Sequence, residues 1–254
     1  MLSDGSKLHL KYPILVKVSC RLAFVWAACK TASPTSRGRL VSEMKNLVLG
    51  LTGQSGAGKS TLSRYLKESG YSIIDADKIA RQVVEKGSDC IAEIAIEFGC
   101  EYINIEGGLN RRKLAQNVFT DKAKLKRLNA IMFPHIISRI EGEINRLKGA
   151  AAKVIVLDAP TLFESGADRF CDYIVSIVAP EELRFQRIIA RDHLTIEEAR
   201  SRIQAQHDQE YYTSRSWHVI HNDKSEEELR LQVQNLHSRL QVLLAEEEPT
   251  LEVQ

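Results

Sequence analysis

Residues Gly53, Gln54, Ser55, Gly56, Ala57, Gly58, Lys59, Ser60 and Thr61 fit the spacing G-x-x-x-x-G-K-[ST]. Each residue type has a physical purpose there. Gly53, Gly56 and Gly58 let backbone N–H groups curl inward around phosphate oxygens with no Cβ in the way. A helix beginning at Ser60 would add its positive N-terminus. Lys59 can bridge the β- and γ-phosphates of a nucleotide, the Ser60 hydroxyl suits Mg²⁺, and Thr61 lies deeper in the helix start. A glycine-rich turn with a chance lysine is the alternative; an apolar run before the motif and a helical pattern after it argue against that.

A second pair of groups, Asp75 and Asp77, follows an apolar run in Ile74-Asp75-Ala76-Asp77. Two residues apart in extended chain, they point to one side. A carboxylate near a γ-phosphate can orient an acceptor hydroxyl and take its proton, or reach Mg²⁺ through water. One of the pair can instead cap the helix that follows. The expectation favours Asp77 for the chemistry and leaves Asp75 open. Arg81, one turn beyond Asp77, can pair with it or bind a substrate phosphate. Asp158 ends the run VIVLD, where a carboxylate can hold the Mg²⁺ shell or be merely a polar strand end.

The segment Pro180 to Gln206 carries Arg184, Arg187, Arg191, Arg200 and Arg202. Arg187 and Arg191 share a helix face. Arginines over a migrating phosphoryl group would stabilise its charge, and a lid there would exclude water. On the residues alone, a solvated charged helix pair is the favoured reading of such a run. Thr195 and Glu198 form the pattern of a capping box.

These groups need a scaffold. The run NLVLGLT from Asn46 suits a buried parallel strand leading into the glycine-rich turn. A helix is expected over 60–69, stopped by Gly70, then a strand YSIID, then a helix KIARQVVEKG ending at Gly87. That alternation indicates βαβ units and a parallel sheet. From Cys90 to about Gly149, IAEIAIEFG, NRRKLAQNVF, KAKLKRLNAIM and HIISRIEGEINRL all fit helical spacing, with EYINIEGGLN as a turn or small hairpin. KVIVLDAP and YIVSIVAP return to buried strands. Residues 181–212 read as charged helices, and WHVIHND as a last strand and loop. Ser225, with Glu228, is expected to cap a final helix whose Leu229, Val233, Leu236, Leu240 and Leu243 face its own core.

The bulk properties agree with this plan. The chain has 254 residues, 44% hydrophobic and 27% charged, an ordinary globular composition. A net charge of +2 argues against a broad nucleic-acid-binding face. Cys20, Cys29, Cys90, Cys100 and Cys171 are scattered, which indicates neither a zinc site nor a disulfide framework and points to a reducing cytoplasm. No apolar run is long enough to span a bilayer. Residues 1–43 hold seven Lys or Arg, with only Asp4 and Glu43 as acids. A targeting peptide is one reading of them; the favoured expectation is a start at Met44.

Within nucleotide enzymes, an N-K-x-D guanine motif and an L-S-G-G-Q signature are both missing from the sequence, and the chain has room for a lid. A small-molecule kinase is therefore expected. Taken together, LTGQSGAGKST, IIDADKIARQVVEKG, LNRRKLAQNVF, LNAIMFPHI, LDAPTLFESG, FQRIIARD and VIHND resemble the dephospho-CoA kinase family, from Met44 to about Leu243. The resemblance implies an α/β P-loop kinase fold: a parallel β-sheet core flanked by helices, with a helical CoA-binding insertion and a helical lid. The implied layout is an N-terminal extension, 1–43, before a kinase domain, 44–254. In the latter the core is 44–79, 150–180 and 213–245, the substrate-binding part 80–149 and the lid 181–212.

It further implies transfer of the γ-phosphate of ATP, with Mg²⁺, to the ribose 3′-hydroxyl of dephospho-CoA. Asp77 falls on the family's proposed general base and Arg187 on its lid arginine, with Lys59 completing the catalytic set. Arg191 and Asn222 join residues 53–61 on the ATP side; Arg81, Arg111 and Arg112 join Asp77 on the acceptor side; Ser60 and Asp158 would serve the metal. The implied partners are these two small molecules, with no nucleic acid and no membrane. Phe133, Thr161, Tyr212 and Trp217 depart from residues common in the family. Another nucleoside or nucleotide kinase of the same fold is the alternative enzyme, and a nucleotide-gated regulator without catalysis is the reading from a different class.

Overall fold

Short runs rich in valine, isoleucine and leucine become the strands β1 (Leu47–Gly53), β2 (Ser72–Asp75), β3 (Val154–Asp158), β4 (Tyr173–Val178) and β5 (His218–His221), the last of them and β2 with polar, partly exposed ends. They belong to a computed structural model that describes residues 46–118 and 121–246. The expectations for residues 1–43 lie outside the described residues. All five strands run parallel in the order β2-β3-β1-β4-β5. The carboxyl ends of the strands therefore share one edge, where ligands of open α/β sheets bind. Every residue of β1 and β3 is buried.

Helices cover both faces. On one, α1 (Lys59–Glu68) and α9 (Glu226–Glu246) pack on Leu49, Leu51, Val156 and Ile177. Leu229, Val233, Leu236 and Leu240 are all buried there, so the expected stripe serves the core. On the other face lie α2 (Ala76–Gln82) and the carboxyl half of α5 (Lys122–Gly149), over Val48, Ile155 and Leu157. A smaller cluster joins α3 (Asp89–Phe98), α4 (Arg111–Val118) and the amino half of α5 around Ile94, Tyr102 and Leu114. Residues 181–213 form α6 (Glu181–Asp192), α7 (Ile196–Gln204) and α8 (Gln209–Thr213), with Ile188, Ala199 and Ile203 as the buried contact of α6 with α7.

Three local expectations change. The helix expected to run to Gly87 ends at Gln82; leaving the helical path lets Val84 bury in the cluster of α3 and α4. The two helical stretches on either side of Phe133-Pro134 are one helix, α5, with the proline inside it. A proline there removes one backbone bond and costs about 3 kcal/mol; Ile131 and Met132 before it, and Ile136 and Ile137 after it, are held by separate apolar clusters that offset the cost. At the start of α9, Ser225 accepts the Glu228 N–H at 3.3 Å, but the Glu228 carboxylate turns to Lys224 at 3.1 Å, so half of the expected capping box forms. The box at Thr195 and Glu198 is complete. EYINIEGGLN makes the expected hairpin, closed by an antiparallel bridge between Ile103 and Leu109.

Candidate active site

The turn from β1 into α1 brings the glycine-rich motif to the carboxyl edge of the sheet. Gly58 is the N-cap of α1, at φ 104°, with no side chain to close the helix end and no acid in its first turn. The α1 N-terminus thus keeps its positive end uncompensated, which suits an anion. A Cβ at Gly58 would lie 2.1 Å from Asn222 Nδ2, and one at Gly56 would lie 2.6 Å from the Arg184 carbonyl oxygen. Both positions require glycine for space as well as for φ.

Strand register sets the carboxylates beside this loop. Asp75 pairs with Asp158 across β2 and β3, so two acids end adjacent strands. Their duties differ. Asp75 Oδ1 accepts the Lys78 N–H at 2.8 Å and caps α2, which settles its open reading as a cap. Asp158 reaches the Lys59 ammonium and forms an ion pair with it; the two side chains are 11% and 15% exposed. Asp77, in the first turn of α2, is an exposed residue whose carboxyl pKa is nonetheless raised: partial desolvation by the surrounding protein is the main cause, Lys59 opposes it, Asp75 and Asp158 add to it, and Arg81 opposes it again. A carboxyl whose proton is held above its usual range is a stronger base once ionised.

Two sides meet at this edge. Of the residues expected on the acceptor side, Arg111 donates from its guanidinium to the Arg81 carbonyl oxygen at 2.7 Å, bringing α4 against α2; Arg81, Arg111 and Arg112 are all exposed. On the nucleotide side, Asn222 lies beyond β5 and donates to the Ala57 carbonyl oxygen at 2.8 Å. Arg187 Nη1 donates to the carbonyl oxygens of Asn222 at 3.1 Å and Gly56 at 3.5 Å. The structure therefore brings Arg187 to the loop. It does not bring Arg191, whose guanidinium makes two 2.8 Å bonds to Asp192, which also holds Arg202 at 2.6 Å.

Sequence reasoning missed several contacts. Gln54 is 4% exposed and donates to the His207 carbonyl oxygen at 2.9 Å; Gln206 Oε1 accepts the Ser55 N–H at 3.0 Å. The turn between α7 and α8 is thus tied to the phosphate loop by two hydrogen bonds. Nothing local in Gln206-His207 signals this, because the partners are about 150 residues away. Of the departing residues, Phe133 and Trp217 pack against apolar clusters, and Tyr212 is buried. A groove of about 1250 Å³ is lined by Arg64 and Lys67 of α1, Ser138 and Arg139 of α5, and Asp75 and Asp158.

The donors that the sequence analysis expects for Mg²⁺ are a hydroxyl, Ser60, and a carboxylate, Asp158. No group of three or more His, Cys, Asp or Glu side chains gathers among the described residues. Hard oxygen donors, few in number, are what Mg²⁺ takes when substrate phosphates and water complete its shell. Ser60 and Asp158 fit that requirement.

Comparison with known proteins agrees with the geometry. A family model for dephospho-CoA kinase matches residues 47–228. A dephospho-CoA kinase of Fusobacterium nucleatum is 40% identical over 186 residues, 73% of this chain and 94% of its own. Among solved structures, a protein of Thermus thermophilus is 31% identical with a TM-score of 0.64, covering 77% of this chain and 98% of that one. The dephospho-CoA kinase of Campylobacter jejuni is 27% identical with a TM-score of 0.58, covering 76% and 96%.

Proposed function

The chain belongs to the dephospho-CoA kinase family, and we propose that Lys59, Asp77 and Arg187 carry that family's reaction here. The reaction moves the γ-phosphoryl group of ATP to the ribose 3′-hydroxyl of dephospho-CoA, giving coenzyme A and ADP, the final step of coenzyme A synthesis.

One observation supports the assignment most: the lysine of the phosphate loop and two carboxylates, Asp77 and Asp158, influence one another at a single edge of the sheet. ATP phosphates would lie in the cradle of residues 53–61, over the α1 N-terminus. Lys59 would leave Asp158 for the β- and γ-phosphates. Asp77 would accept the 3′-hydroxyl proton as the oxygen attacks phosphorus. Arg187 would place positive charge beside the migrating group, and Arg191 would join it once free of Asp192. Arg81, Arg111 and Arg112 would hold the anionic part of the acceptor. Ser60 and Asp158 would hold Mg²⁺, which neutralises developing phosphate charge when bound.

In this reading residues 80–149 are the substrate-binding part and 181–212 the lid. The boundary expected between 79 and 80 falls inside α2, so that helix moves with one part or the other as a unit. No helix among the described residues is long and apolar enough to cross a membrane. Cys90, Cys100 and Cys171 are free thiols.

The test is coenzyme A formation by the full chain, detected by mass, from ATP and dephospho-CoA with and without Mg²⁺, with adenosine and AMP as control acceptors. Mg²⁺-dependent coenzyme A is the expected product. Phosphorylation of a control acceptor in its place would reject the reading.

A further inference from the structure

Arg184 is the charged side chain that the reaction leaves unexplained. It lies one turn before Arg187 on α6 and is 4% exposed. Its Nε and Nη1 atoms are buried and have no hydrogen-bond partner among the described residues. The nearest acid, Glu181, stands 4.0 Å from Nη2 and is itself 75% exposed, so water screens it. Burial lowers the pKa of the guanidinium, with Glu181 and Tyr212 opposing. Folding an unpaired cation into the protein is costly, and a side chain kept there needs a compensating partner.

Its position says what that partner is. The Arg184 backbone is pressed against the phosphate loop, close enough that any Cβ on Gly56 would collide with it. Arg187, on the same side of α6, reaches the same glycine. The backbone that carries these buried donors therefore borders the loop that the proposed function fills with an anion. In the loop itself, Gln54 Oε1 is likewise buried without a donor, so this side of the cradle is polar and incompletely satisfied.

We propose that Arg184 is a further phosphate-binding residue, a buried guanidinium that completes its hydrogen bonding on the oxygens of the bound nucleotide triphosphate. The proposal rests on the ATP-binding reading above. It differs from a purely structural role in one measurable respect: the residue destabilises the empty protein and stabilises the nucleotide complex.

Arg184→Met separates the two roles, because methionine keeps the length of the side chain and removes its charge. Measured on the full chain, nucleotide-free Arg184→Met is expected to melt about 2–4 °C above wild type. Its KM for ATP is expected to rise at least tenfold, the loss appropriate to charge-assisted hydrogen bonds, while its KM for dephospho-CoA stays within about twofold. The melting shift given by saturating ATP should shrink, and Arg184→Lys should restore part of it. A methionine variant with the wild-type KM for ATP and the wild-type ATP shift overturns the proposal and leaves water as the partner of Arg184. Should Arg184→Met fail to fold, Arg184→Gln is read by the same KM criterion. Wild-type protein that makes no coenzyme A would reject the functional reading itself, whereas active wild type with an indifferent variant rejects only the role of Arg184.

Discussion

Lys59 and Asp158, 99 residues apart in sequence, form an ion pair at the carboxyl edge of the sheet. The lysine that phosphate would use is therefore already engaged by a carboxylate, and nucleotide must displace it. Asp158→Ala should tighten ADP binding measured without Mg²⁺, because the competitor for Lys59 and a repelling charge both go. The same change should lower Mg²⁺-dependent turnover and raise the Mg²⁺ concentration needed for half-maximal rate. Calorimetry with ADP, beside a Mg²⁺ titration of activity, reads both; ADP affinity that falls instead would show that the pair supports the cradle.

Asp77 should set the acid limb of the pH–rate profile. Its pKa is raised chiefly by desolvation. The base form is therefore lost at a pH above the usual carboxylate range, and turnover should climb as pH rises through that raised value. The stability linkage has the same origin: the folded state holds this proton more tightly than the unfolded chain, so the group's contribution to stability falls as pH rises through the folded pKa. Asp77→Asn should abolish the limb and lower turnover about 100- to 10,000-fold, with ATP affinity nearly unchanged. Initial rates from pH 4 to 9 on both proteins check this.

Arg187→Ala should lower turnover by about 100-fold or more, the scale of losing a preorganised donor to developing charge. The residue also donates to the Asn222 and Gly56 carbonyl oxygens. A variant that loses only ATP affinity, with turnover intact at saturation, would make Arg187 a ground-state contact of the nucleotide pocket.

The described cysteines should react in a fixed order. Burial pushes the Cys90 thiol up to about 11 and the Cys171 thiol up to about 12, so neither is a thiolate at neutral pH. Cys100 is exposed. Iodoacetamide at pH 7.5, followed by peptide mapping, should modify Cys100 first and the other two only after denaturation. Early labelling of Cys90 would mean that the cluster of α3 and α4 opens readily.

Much of this molecule was legible because it is written locally. The phosphate loop, the apolar strands around it and the Thr195 cap depend on neighbouring residues, and the sequence carries each within a few positions. The sequence favoured Asp77 for the chemistry and left Asp75 open, and only the backbone showed that Asp75 caps α2. The Lys59–Asp158 pair, the Gln206 contact with Ser55 and the burial of Arg184 arise from the way distant segments are folded together, and no short window encodes them. The i,i+4 spacing of Arg187 and Arg191 did signal a shared face on the helix that also carries Arg184. It could not signal that one arginine would be sealed from water. Pro134 misled in the opposite sense, since local rules break a helix that two apolar clusters hold together.

That unbroken helix has a practical consequence. The amino half of α5 is anchored among Leu125, Leu128 and Ile131, and its carboxyl half among Ile136, Ile140 and Ile144 beneath the sheet. At 28 residues it is a rod about 40 Å long, shared by two clusters. Anyone grafting residues 80–149 onto another kinase could cut in the turn after Gly149, but would carry along the whole of α5, including the half that packs beneath the sheet. The recipient must therefore supply an apolar surface like that of Val48, Ile79, Ile155 and Leu157 to receive the second half of the helix.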